Sequence, residues 1–85
     1  MAYSVILRPA AIRDLKGLSS EVRARVEKAI APLQMNPRPP GAKKLVGYDN
    51  EWRFRVGNYC ILYVVDDGPH QAVIARIAHR REVYR

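Results

Sequence analysis

The stretch NPRPPGA, residues 36–42, divides the hydrophobic patterning of the chain in two. Three prolines and a glycine in so short a run remove backbone donors and bar any regular element. Before it the apolar period is helical: Val22, Val26, Ala29, Ile30 and Leu33 fall at i, i+4, i+7, i+8 and i+11, one continuous face. Arg23, Arg25, Glu27 and Lys28 take the opposite face. After it the period is two. A chain that changes period once, at a breaker, places its helices and most of its strands in separate segments.

The helical half opens with YSVILR, residues 3–8, which reads as a short strand. Pro9 then fits the first turn of a helix, where its missing N–H costs nothing. Ala10, Ala11, Asp14, Leu15 and Leu18 continue that helix to about residue 18. Ser19 and Ser20 offer an N-cap for the second helix, with Glu21 favourably placed at its positive end. Beyond the breaker, strands are expected over 43–46, 51–57, 59–66 and 71–79. The order β-α-α-β-β-β-β predicts an α+β domain, with two N-terminal helices packed on one face of a small, mostly antiparallel sheet. The 85 residues allow one domain at most.

Gly57-Asn58 as a two-residue turn fixes a register. It sets Val56 opposite Tyr59, Arg55 opposite Cys60, Phe54 opposite Ile61 and Arg53 opposite Leu62. One face then holds Trp52, Phe54, Val56, Tyr59, Ile61, Tyr63 and Val65, the core against the helices. The other holds Arg53, Arg55, Cys60, Leu62 and Val64. Strict alternation in the last strand adds Val73, Ala75 and Ile77 to the core face, and Ile74, Arg76, Ala78 and Arg80 to the other. No helix remains to cover this second, half-apolar and arginine-bearing surface, which suits a polyanion or a partner.

Charge points the same way. Fifteen Lys and Arg against eight Asp and Glu give +7, and eleven of the fifteen are arginine. Such a chain attracts polyanions over about a Debye length, roughly 8 Å at physiological salt. Arginine also favours planar, bidentate recognition of phosphate or carboxylate. Nucleic acid, an acidic protein and an anionic membrane surface all satisfy that charge. Cys60 is the only cysteine, which excludes a disulfide framework and a cysteine-based zinc site. The start MAYSVILRPA has no basic segment leading into a long apolar stretch, and no apolar run approaches a membrane span. A reduced cytoplasmic setting is the expectation.

The densest cluster is HRREVYR, residues 79–85: His79, Arg80, Arg81, Glu82, Tyr84 and Arg85. Cleaving RNA through its own 2′-hydroxyl needs a group to take that proton and one to protonate the leaving 5′-oxygen. It also needs cations for the charge that builds on phosphate. A tyrosine among arginines is a candidate base, because neighbouring cations lower a phenol from its usual pKa of about 10. The same run also reads as a solvated tail. Alternation puts His79 on the core side, as a structural histidine. His70 and Asp66-Asp67 fall in a turn, DDGPH. Two histidines without a ligand-spaced acidic cluster do not make a metal site. Cys60 reads as a small thiol buried or half-buried in a strand rather than as a nucleophile. Lys43 and Lys44 serve either solubility or phosphate contact.

Taken together, RPAAIRDLKGL, SSEVRARVEKAI, NPRPPGAKKL, EWRFRVGNYCILYVVDD and IARIAHRREVYR resemble the RelE branch of the RelE/ParE toxin superfamily over essentially the whole chain. The resemblance implies one RelE-like domain over residues 1–85, ribosome-dependent cleavage of mRNA in the A site, and translation inhibition. It implies neutralisation by a cognate antitoxin, with operator DNA reached only through the antitoxin complex. The +7 charge and the half-apolar face suit an acidic antitoxin that folds on binding. A substrate that supplies its own nucleophile needs no metal or cofactor. By position Arg53 and Arg55 match basic residues on the cleft strand, Arg80 a residue assigned to transition-state stabilisation, and Tyr84 a tyrosine that orients or activates the 2′-hydroxyl. Arg76, Arg81, His79, Lys43 and Lys44 join the RNA-binding set. Cys60 departs from the family, which carries arginine in a Gly-x-Tyr-Arg pattern. A thiol makes no charge-assisted bond to phosphate, and losing one such contact costs on the order of 10²–10³ in rate. The alternatives are a ParE-like gyrase poison and a catalytically attenuated binding domain of a repressor complex.

Overall fold

The computed structural model describes residues 2–45 and 50–83, the side chains of Glu82 and Val83 excepted. A strand β1 (Ser4–Leu7) leads into helices α1 (Pro9–Lys16) and α2 (Ser20–Ile30), and a 3₁₀ turn (Ala31–Gln34) closes the helical half. Strands β2 (Lys43–Lys44), β3 (Glu51–Val56), β4 (Tyr59–Asp66) and β5 (Gln71–His79) follow, then a four-residue helix α3 (Arg80–Val83).

The helix boundaries have local causes. Pro9 occupies the first turn of α1. The Ser19 hydroxyl accepts the Val22 N–H at 3.3 Å, capping α2, and Glu21 sits in its first turn. Ala11, Val26 and Ile30 are buried from the helices, and Leu33 from the 3₁₀ turn that α2 tightens into. Burying each of the larger aliphatic side chains contributes about 2–3 kcal/mol.

The sheet runs β1-β5-β4-β3-β2. Every pairing is antiparallel except β1 with β5, which is parallel. That parallel pair requires a crossover, and α1, α2 and the β2–β4 strands form it. The β3–β4 register is the one expected from the Gly57-Asn58 turn, Arg55 against Cys60 included. Gly57 has φ +59, a left-handed value that glycine adopts without a Cβ penalty.

The last strand departs from strict alternation. Between Leu62 and Tyr63 the β4–β5 register slips, so Leu62 faces Arg76 whereas Tyr63 faces Ile74. The extra residue, Ala75, is a bulge, and it reverses the alternation on either side. Ala72 and Ile74 therefore enter the core with Ile77, whereas Val73 and Ala75 stay half-buried outside it.

The Pro-rich segment is clamped rather than loose. Asp67, in the β4–β5 turn, accepts Arg38 through both oxygens, at 2.8 and 3.2 Å, and the Tyr3 hydroxyl at 2.6 Å. Arg38 also lies over the Trp52 ring, 5.5 Å from its centroid. The buried Tyr63 hydroxyl donates to the Pro37 carbonyl at 2.7 Å. Burial pushes the Tyr63 phenol up to about 12, so it donates in its neutral form. His70 is half-buried at φ +54, its ring 5.0 Å from that of Tyr3, and not simply exposed.

Candidate functional site

The sheet face away from α1 and α2 is organised by register. Directly opposed residues share a face. One row therefore reads Lys43, Arg53, Leu62, Arg76, and the next Arg55, Cys60, Ala78. Arg53 and Arg55 are two residues apart on a strand, which holds both guanidiniums on this side. Lys44 faces Trp52 and so belongs to the opposite side. The paired lysines of the sequence are split by the pleat.

At one end of this face the chain turns back on itself. The Arg80 N–H donates to the Asn58 carbonyl, 2.6 Å away, which ends β5 and starts α3 beside the β3–β4 turn. The consequence is an open pocket of ≈ 380 Å³ lined by Arg55, His79, Arg80 and Arg81. Residues more than twenty positions apart thus converge on one small space whose described lining residues are all basic. His79 is fixed within it: its Nδ1 accepts the Arg81 N–H at 3.3 Å, and its ring meets Tyr59 edge-on, centroids 5.2 Å apart.

Arg53 and Lys43 lie further along. With Arg55, they border a second cleft of ≈ 600 Å³ whose apolar wall includes Pro32, Leu33 and Phe54. Arg55 belongs to both spaces and joins them. Arg76, in the same row as Arg53, is held by α1. Its Nε reaches Asp14 Oδ2 on α1 at 2.8 Å, and its Nη2 reaches Asp14 Oδ1 at 3.2 Å. The same Oδ2 accepts the Ile77 N–H at 2.9 Å, beyond the end of β1's pairing with β5. Burial raises the Asp14 carboxyl, but the hydrogen bonds from Arg76 and Ile77 and the Arg76 and Arg13 charges outweigh it. The group sits below the usual carboxylate range.

Cys60 is fully buried and lies outside the hydrophobic cluster beneath the helices. The expectation of an uncovered outer face fails at Cys60, and α3 lies against β4 and β5 at this end of the sheet. Tyr84 lies outside the described residues. Among the described residues, no group of three His, Cys, Asp or Glu side chains could hold a metal ion, and no helix is long and apolar enough to cross a membrane.

Sequence patterning marks neither α3 nor the pairings of Asp14 with Arg76 and of Asp67 with Arg38. No apolar periodicity can register over only four residues. Asp14 was legible only as a polar residue within an amphipathic helix.

Known proteins place this architecture. The family described as the ParE toxin of type II toxin–antitoxin systems, parDE, matches residues 5–84. The toxin RelE of Mycobacterium tuberculosis is 34% identical over 84 residues, covering 98% of this chain and 87% of that protein. The toxin–antitoxin complex RelBE2 of the same organism contains a chain 32% identical, at a TM-score of 0.78, over 94% of this chain and 100% of that one. A mutant of the Escherichia coli toxin RelE in the free state superposes at a TM-score of 0.81, with 25% identity over 99% of this chain and 92% of that one. The chain belongs to the RelE/ParE toxin superfamily as a RelE-type toxin of a type II toxin–antitoxin system.

Proposed function

We propose that this toxin is a metal-independent endoribonuclease, one domain over residues 1–85, that cleaves mRNA on the ribosome and so inhibits translation. The observation that carries the reading is the pocket in which Arg55, His79, Arg80 and Arg81 converge. The reaction needs no nucleophile from the protein, because the substrate's 2′-hydroxyl attacks the adjacent phosphorus and the 5′-oxygen leaves. What the protein must supply is positive charge around the phosphate and groups that move two protons. Arg55, Arg80 and Arg81 supply the charge, and Arg53 with Lys43 extends it along the strand. Lys44, on the opposite side, acts at most on a neighbouring part of the strand, and Arg76 acts with Asp14 attached. Tyr84 is the acid/base candidate, and no cofactor enters the chemistry.

The partner is an acidic antitoxin. A RelBE complex among the similar structures and the +7 charge support it. Operator DNA is reached only through that complex, membrane is not a partner, and the setting is cytoplasmic. The test is induced expression with and without the antitoxin, followed by mapping of mRNA ends. New 5′ ends on translated messages, suppressed by the antitoxin, are expected; their absence sinks the proposal. The ParE name of the matching family supports a second reading as a gyrase poison. Arrested replication with intact translation is its signature. The buried thiol at Cys60 supports a third, an attenuated toxin acting as a binding domain. Antitoxin binding without any new ends distinguishes that one.

A further inference from the structure

On the other side of His79 and Arg81 lies a space the proposed chemistry does not use. It is a cleft of ≈ 520 Å³ between α1 and the ends of β4 and β5, lined by Arg13, Asp14, Tyr59, Ile77, His79 and Arg81 among others. His79 and Arg81 wall both this cleft and the basic pocket of Arg55 and Arg80. The two spaces are therefore adjacent, and one short strand can enter both.

The lining is suited to a nucleotide. Arg13 and Arg81 are exposed cations on opposite elements, α1 and α3. Tyr59 and His79 form an edge-to-face pair, half-buried, so their ring positions are preset by the sheet rather than ordered on binding. An aromatic surface of this kind stacks any base, at about 1–3 kcal/mol per base. Among the described residues, two features oppose an anion: the Asp14 carboxylate and the C-terminal end of α1. Asp14 is already offset by Arg76 and the Ile77 N–H, and a helix end carries only about half a charge. Two full guanidiniums outweigh what remains.

We propose that this cleft is a second nucleotide-binding site, which takes the neighbouring residue of a single RNA strand whose scissile phosphate lies among Arg55, Arg80 and Arg81. The phosphate contacts Arg13 and Arg81, and the base lies against the Tyr59–His79 pair. This rests on the reading of the chain as an RNA-directed toxin.

The test is binding of a 2′-O-methylated tetraribonucleotide, which cannot be cleaved through its 2′-oxygens, to the full chain, with adenosine monophosphate as the short control. Arg13 is exposed and outside the proposed catalytic set, so Arg13→Gln leaves the fold intact. It is expected to weaken tetranucleotide binding about 3–10-fold and to reduce the salt slope by roughly 0.7, the value of one phosphate contact on a single strand. Adenosine monophosphate, which fills only one of the two spaces at a time, should bind more weakly than the tetranucleotide. Tyr59→Leu should weaken the tetranucleotide while Tyr59→Phe retains it, and the Tyr59 and His79 ring resonances should shift on binding. Unchanged affinity and salt slope in Arg13→Gln, or silent rings, overturn the proposal. So does a larger response of the same rings to an acidic peptide, which would make the cleft a protein-binding surface. Ribosomal cleavage is scored separately. Arg13-dependent binding without cleavage removes the nuclease and keeps the cleft, whereas cleavage with Arg13-independent binding does the reverse.

Discussion

Replacing Asp14 by alanine removes three hydrogen bonds at once, from Arg76 Nε, Arg76 Nη2 and the Ile77 N–H. The carboxylate side chain is only 18% exposed, whereas the Arg76 side chain is 52% exposed. The two partners therefore lose unequal amounts. Arg76 rehydrates, and its half-exposed pairing contributes about 0.5 kcal/mol. The part-buried backbone N–H loses a charged acceptor, a bond of about 1.5–3 kcal/mol. The sum is a loss of about 2–3.5 kcal/mol, or roughly 10–25 °C in melting temperature for a domain of this size. The carboxyl is held below the usual range. Its stabilisation is therefore complete above a pH of about 4 and disappears as pH falls through the lowered folded value. Urea denaturation of wild type and Asp14→Ala should show a constant gap between pH 5 and 8 that narrows below about pH 4. A gap under about 0.5 kcal/mol at neutral pH, or one that persists unchanged in acid, would refute the assignment of Asp14 as the tie between α1 and β5.

Tyr63 gives the opposite sign. Its folded phenol, pushed up to about 12, favours the neutral form, so stability is complete below about pH 10 and falls by up to roughly 3 kcal/mol as pH rises through 12. Tyr63→Phe should abolish that alkaline slope in urea titrations while costing about 1 kcal/mol at neutral pH through the lost bond to Pro37; an unchanged slope counts against it. Cys60→Arg places a guanidinium in a fully buried position opposite Arg55. It should cost about 2–4 kcal/mol from overpacking and like-charge opposition; stability near wild type with faster RNA cleavage would show that the site accepts the cation. Arg55→Ala and Arg80→Ala, both exposed, should each lower single-turnover cleavage by about 10²–10³-fold with stability changes within about 0.5 kcal/mol. Equal losses of stability and activity would make them structural.

The hairpin was legible because its information is local. Alternation from Glu51 to Asp66 and a Gly-Asn turn suffice to set which residue faces which, and the observed register agrees pair by pair. The same logic failed one strand later. A bulge at Ala75 depends on how β5 meets β4, and alternation within β5 alone carries no trace of it. The grouping of the candidate residues was legible in part. The sequence singled out Arg55, His79, Arg80 and Arg81, and the fold gathers these four around one pocket. It grouped Arg76 with Arg53, and the register does put them in one row, but the Arg76 guanidinium goes to Asp14, sixty-two positions away. Asp67 read as a turn residue, yet it holds Arg38 and Tyr3 from two other segments.

What the sequence determined by itself was the order of elements, the faces of the hairpin and the excess of arginine, because period, turn chemistry and net charge are properties of neighbouring residues. Only the tertiary structure decided which of those charges stand together. A guanidinium is long enough to choose among partners, and the choice depends on which carboxylates and backbone groups the packing brings within 3 Å or so. Arg76 was drawn to α1. Arg55 was brought to His79, Arg80 and Arg81 where a backbone bond from Arg80 to Asn58 holds the start of α3 at the hairpin turn.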